Sequence, residues 1–120
     1  MTDLQAIVDE HILIREVTDA DADAIARLCS QLGYPSERSD IPTRLRRFST
    51  DSNAAAFVGV SAGDAIGLVT VHLRYTLNHE APIAQLTLLV VDEEARTRGV
   101  GRVLVTTVEQ WAQARGAKKV

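Results

Sequence analysis

The sequence predicts a layered α/β fold in a single domain spanning residues 1–120, and three observations carry that prediction. Apolar runs and helical periods alternate in the order strand, two helices, three strands, helix. Two of the strand-like runs are separated by a compact turn, Ser61 to Asp64. The stretch from Leu86 to Arg115 passes from a continuous apolar run through a glycine-bearing loop into an amphipathic helix. Composition agrees, with 46% hydrophobic and 24% charged residues, as in an ordinary globular domain.

Met1 to Glu10 is weakly patterned and reads as a lead-in, after which Ile12 to Val17 forms a first strand. Thr18 is an N-cap candidate, with Asp19, Asp21 and Asp23 in the first turn, where negative charge complements the helix dipole. This cluster is read as dipole complement rather than as a metal site, and no metal is expected. Ala22, Ile25, Leu28, Cys29 and Leu32 recur at helical spacing until Gly33. Cys29 lies on that apolar stripe and reads as a buried structural thiol. Gly33 to Ser36 is a turn, and a second short helix runs from Asp40 as cap to Phe48, with Pro42 in its first turn. Its Arg44, Arg46 and Arg47 form a solvated face.

Ala55 to Val60 and Ala65 to Leu73 are the hairpin strands, and Leu77 to Pro82 is a loop. The last helix carries Val100, Val103, Leu104, Thr107, Val108, Trp111 and Arg115 at steps of three or four and ends at Gly116 as its cap. Trp111 is a core anchor on this pattern. Ala117 to Val120 begins a further strand.

The net charge of −3 and the absence of basic tracts give no sign of general attraction to nucleic acid. The single Cys29 forms no internal disulfide. There is neither a signal peptide nor an apolar run near the ~20 residues that span a bilayer, so a cytoplasmic protein without a membrane partner is expected.

The chemistry concentrates at Arg96-Thr97-Arg98-Gly99-Val100-Gly101. The first N–H groups of a helix lack intrahelical acceptors and carry partial positive charge, so they suit an anion. Gly99 and Gly101 remove the Cβ atoms that would hold a phosphate away, and Arg96, Arg98 and Arg102 add guanidinium groups able to bond phosphate oxygens in pairs. A diphosphate cradle follows. It is not a P-loop, since no Lys-Ser or Lys-Thr pair occurs, nor a dinucleotide fingerprint, since Leu104 stands where the third glycine belongs.

Arg96-x-x-Gly99-x-Gly101, preceded by Leu89-Val90-Val91-Asp92 and followed by Val103-Leu104 and a helix ending Trp111-Ala112 and Gly116-Ala117, resembles the acyl-CoA-binding signature of the GNAT superfamily of N-acetyltransferases. The resemblance implies a mixed, mostly antiparallel central sheet flanked by helices. It implies acetyl-CoA as cosubstrate and an amine of a small molecule or protein as acceptor, acetylated by direct attack with no covalent enzyme intermediate. The Leu89 amide would stabilise the oxyanion, Val90 and Val91 would run beside the pantetheine arm, with Val91 holding it by backbone groups, and the amides from Thr97 to Arg102, with Arg96, would bind the diphosphate. Tyr34, in the connection between the first two helices, would border the acceptor. Where some members place a glutamate base this chain has Gln85, whose amide takes no proton near neutral pH. His79, Glu80, His72 or ordered water are the substitutes, with no base assigned.

Family members continue with a fifth strand, a helix that often supplies a tyrosine acid, and a final hairpin, whereas this sequence stops at Val120. The expectation is therefore a C-terminally incomplete fold with an unpaired sheet edge, suited to a homodimer or swapped assembly. The alternative function on the same grounds is a non-catalytic acyl-CoA-binding or assembly module.

Overall fold

A computed structural model describes residues 12–33 and 40–120, including a four-stranded sheet with helices on both faces. Strand β1 is Leu13–Glu16, and helix α1 is Ala22–Gln31, entered through a 3-10 turn at Asp19–Asp21. Helix α2 is Ile41–Ser49, followed by β2 Ala54–Ser61, β3 Asp64–Arg74 and β4 Ile83–Val91. A second 3-10 turn at Glu93–Arg98 leads into α3, Val100–Ala114. The strands lie in the order β1-β2-β3-β4, each antiparallel to the next.

Local chemistry explains the element ends. The β2–β3 hairpin closes over two residues, Ala62 at φ 52° and Gly63 at φ 84°, with Ser61 paired to Asp64. Two successive positive φ angles match the right-handed strand twist, which is why the connection is so short. Helix α3 stops in a Schellman motif: Gly116, at φ 87°, donates its N–H to Gln113, and Ala117 donates to Ala112. The chain entering α1 is fixed by Asp21, whose carboxylate takes two bonds of 2.8 Å from Arg15 and one of 2.8 Å from the Thr18 N–H. The Arg15 guanidinium and the Thr18 N–H together hold the buried Asp21 carboxyl below its ordinary range.

Two cores sandwich the sheet. On one face Val100, Leu104, Val108 and Trp111 of α3 pack on Phe57, Val69, Val71 and Leu73. On the other Ile25 and Leu28 of α1 and Ile41 of α2 pack on Val58, Leu68 and Val90. Helix α3 comes close to the sheet because β2 and β3 offer glycines beneath it. A Cβ on Gly67 would lie 2.8 Å from Val100 and 2.9 Å from Leu104, and one on Gly59 would lie 3.4 Å from Val100.

Several expectations shift. Strands β2 and β3 are the ones paired along both edges and buried through most of their length, whereas Leu86, Leu88, Leu89 and Val91 of β4 are only half-buried. The α-helical period of the last helix begins at Val100; Arg96 to Arg98 belong to the 3-10 turn. Cys29 is half-buried rather than fully buried, and desolvation pushes its thiol pKa up. Trp111 is 9% exposed and carries the Arg115 guanidinium 4.3 Å over its ring. The lead-in up to Glu10 and the turn residues Tyr34 to Ser36 lie outside the described residues. No helix among the described residues is long and apolar enough to cross a membrane.

Candidate functional site

Strand β4 pairs with β3 along one edge, and the direction of its other edge can be worked out from two hydrogen bonds. Asp92 donates its N–H toward β3, to Ile66, and Ala84 donates away from β3, to Lys119. In an antiparallel ladder these directions alternate residue by residue. Counting back from Asp92, Val91 and Leu89 point away from β3; counting forward from Ala84, so does Leu86. The two counts differ by one residue, and the register shows where: Thr70 faces Leu88 while Val71 faces Leu86, so Thr87 is an extra residue bulged out of the ladder. The Thr87 hydroxyl is held 2.7 Å from that of Thr70.

The outer edge of β4 is thus paired at its start, through the parallel bridge between Ile83 and Lys119. Beyond the bulge it presents the N–H and C=O groups of Leu89 and Val91. It leads directly to the beginning of α3, where Gly99 takes φ 80° and no side chain caps the helix. The Gly99 carbonyl accepts from Val103 N–H at 3.2 Å, so the N–H groups of Val100, Gly101 and Arg102 precede the first intrahelical bond. A Cβ on Gly101 would stand in ordinary contact with Val91, 3.6 Å away, so Gly101 sits where the strand edge meets the helix start.

The loop between strand and helix is tied down from α1. The Asp92 carboxylate accepts the Glu94 N–H at 3.1 Å and pairs with Arg27, which also donates to the Ala65 carbonyl at 2.9 Å. The backbone bond from Glu94, and then Arg27, hold the Asp92 carboxyl below its usual range. Gln31 accepts the Glu93 N–H at 3.1 Å. These side chains lie more than sixty residues from the loop they fix, and no local pattern announces them.

The arginines divide. Arg96 Nε donates to the Val91 carbonyl at 3.3 Å, so this side chain lies along the strand edge. Arg98 turns to the hairpin, donating to Ser61 Oγ at 2.7 Å, and Arg102 is exposed on the first turn of α3. Thr97 contributes backbone in the 3-10 turn. Leu89, Val90, Val91, Arg96, Gly99, Val100 and Gly101 are therefore brought together, whereas Arg98 points elsewhere. Tyr34 lies outside the described residues. Gln85 accepts from Arg74 at 2.5 Å, and His79 shares its Nδ1 with Thr76 at 2.8 Å and Asn78 at 3.2 Å in the exposed loop that also holds Glu80.

An open strand edge running into an uncapped, glycine-lined helix start suits a long ligand with an amide-bearing arm and an anionic head, and this defines the class of site. Residues 20–120 match the model of the acetyltransferase (GNAT) family, and the chain belongs to that family. It is 26% identical over 110 residues to the aminoalkylphosphonate N-acetyltransferase of Salmonella typhimurium, covering 88% of this chain and 69% of that one. The fold is similar to that of a GNAT family acetyltransferase from Staphylococcus aureus, with a TM-score of 0.81 and 20% identity over 91% of this chain and 83% of the other. It is also similar to an aminoglycoside N-acetyltransferase solved in complex with CoA, with a TM-score of 0.78 and 22% identity over 91% of this chain and 74% of the other.

Proposed function

We propose that residues 1–120 act as one domain that transfers the acetyl group of acetyl-CoA to the primary amine of a small molecule by direct attack. The observation that carries this reading is the outward direction of the Leu89 and Val91 amides beyond the Thr87 bulge, on an edge continuous with the start of α3. The family relatives support the acceptor class, since one is named for aminoalkylphosphonates and another for aminoglycosides.

In this reading the Leu89 N–H bonds the thioester carbonyl and stabilises the oxyanion that forms as the amine attacks; one such fixed donor is worth about 3 kcal/mol of barrier. The Val91 backbone pairs with the amide groups of the pantetheine arm as an added strand would. The N–H groups of Val100, Gly101 and Arg102 take the diphosphate, with Arg96 and Arg102 supplying positive charge. The thiolate of CoA then leaves.

Calorimetric titration of the full chain with acetyl-CoA, using ATP and NAD as controls, tests the cradle. Selective saturable binding followed by thiol release on adding an aminoalkylphosphonate or an aminoglycoside supports the reading. Binding with no thiol release from any amine favours a non-catalytic acyl-CoA-binding module instead.

A further inference from the structure

The face of the sheet beneath α2 holds one group that the binding reading leaves unused. His72, on β3, stands directly across from Gln85 on β4 and from Ala54 on β2. Its ring packs 5.2 Å from that of Phe48 of α2, and its Nδ1 is fully buried with no hydrogen-bond partner among the described residues, while the residue as a whole is half-buried. A buried polar atom is ordinarily paired, so an unpaired one that persists points to a purpose other than stability.

Its neighbours narrow the purpose. Directly paired cross-strand residues share a face, so His72 and Gln85 stand side by side. Thr70, on the same face of β3, and Thr87 at the bulge are bonded to each other, and Gln85 is bonded to Arg74. Of these side chains the imidazole is the one with a nitrogen lone pair able to take a proton. The alternatives in the β3–β4 loop are exposed, and the His79 Nδ1 is already engaged by Thr76 and Asn78. Gln85 faces His72 and Leu89 faces Val69, three positions apart on β3 because Thr87 adds no step, so the two lie about 10 Å apart at strand rise, a gap that an imidazole, bridging water and an acceptor amine fill between them.

We propose that His72 is the proton acceptor for the acceptor ammonium, taking the proton through water at Nε2 while the buried Nδ1 carries the ring's own hydrogen; this rests on the transfer activity proposed above. The ammonium gives one proton to the imidazole, the freed nitrogen lone pair forms the C–N bond at the thioester carbon, and the C–S bond breaks. The second proton of the attacking nitrogen goes to the departing thiolate, giving amide and CoA thiol, and the imidazolium returns its proton to solvent. Phe48 packs against the ring at a tilt of 57°.

The test uses the full chain with acetyl-CoA and an aminoalkylphosphonate or an aminoglycoside. His72→Gln keeps polarity without a titratable nitrogen; its kcat falls at least ~100-fold, in the range typical of lost acid–base help, while acetyl-CoA affinity stays within about twofold. His72→Ala loses turnover similarly and regains part of it on addition of free imidazole. A kcat of His72→Gln close to that of the unaltered chain, or an alanine variant that binds acetyl-CoA but does not respond to imidazole, overturns the proposal and leaves the transfer activity standing. No thiol release from the unaltered chain overturns the activity and the proposal together.

Discussion

The two sides of β4 are built by different means. The edge that meets α3 is made of backbone: outward amides at Leu89 and Val91, a left-handed Gly99, and a helix start with no cap. The face beneath α1 and α2 is made of side chains reaching across the chain, with Arg27 on Asp92, Gln31 on Glu93, Thr70 on Thr87 and Phe48 on His72. A backbone-built surface tolerates exchange of side chains but not added bulk, whereas a side-chain-built one fails at the individual partner. That contrast can be broken or sharpened by substitution.

The largest effect is expected from Gly101→Glu, which puts bulk and negative charge where the strand edge meets the helix start. Acetyl-CoA affinity should drop at least ~100-fold, or about 2.7 kcal/mol, in a variant with unchanged circular dichroism. Unaltered affinity would remove the cradle from Gly101. Next is Gly67→Val, whose Cβ alone meets Val100 and Leu104 below 3.0 Å. Lifting α3 from the sheet should cost about 2–3 kcal/mol by urea denaturation, and a loss under about 0.5 kcal/mol would show that the helix does not rest on this glycine.

On the side-chain-built side, Asp21→Asn should cost about 1–2 kcal/mol near pH 7, because Arg15 and the Thr18 N–H bond the carboxylate. The folded Asp21 pKa is lowered, so the carboxylate stabilises the fold above its unfolded value of about 3.9 and loses that contribution as pH falls through the lower folded value. The two proteins should therefore begin to approach each other in stability below about pH 4 and meet once the pH lies below the lowered folded value. A difference that persists below the folded value would assign the effect to packing. The smallest change is expected from Arg96→Ala, a roughly fivefold loss of acetyl-CoA affinity, because the backbone amides remain and the Val91 carbonyl is released from the Arg96 contact. A loss as large as that for Gly101→Glu would mean that side chains hold the diphosphate after all.

The same contrast decides what could be read from the sequence. Gly99 and Gly101 after an apolar run announce the backbone-built edge because the signal is local: six residues carry both the turn and the helix start. The hairpin at Ala62 and Gly63, and Gly116 as the terminator of α3, are legible for the same reason. The fixing of the strand–helix loop by Arg27 and Gln31, and the need for glycine at position 67, depend on residues distant in sequence that meet only in the fold. The bulge at Thr87 is invisible for a different reason. Leu86-Thr87-Leu88-Leu89 is equally apolar on either reading, so alternation cannot say where one residue is in excess.

That extra residue sets a rule for recombining this protein with its relatives. The first half of β4 and the second half run out of phase by one position, so Leu86 and Leu89, three apart, both turn their backbone groups outward. A chimera joined within the Leu77 to Pro82 loop leaves the phase untouched, and length differences there should be absorbed. A join between Leu86 and Leu88 that drops one position would remove the bulge itself: Leu88 would follow Leu86 in plain alternation, and the amides of Leu89 and Val91 would keep their outward direction. A single threonine is the slack that lets this strand lose one position without turning its open edge inward.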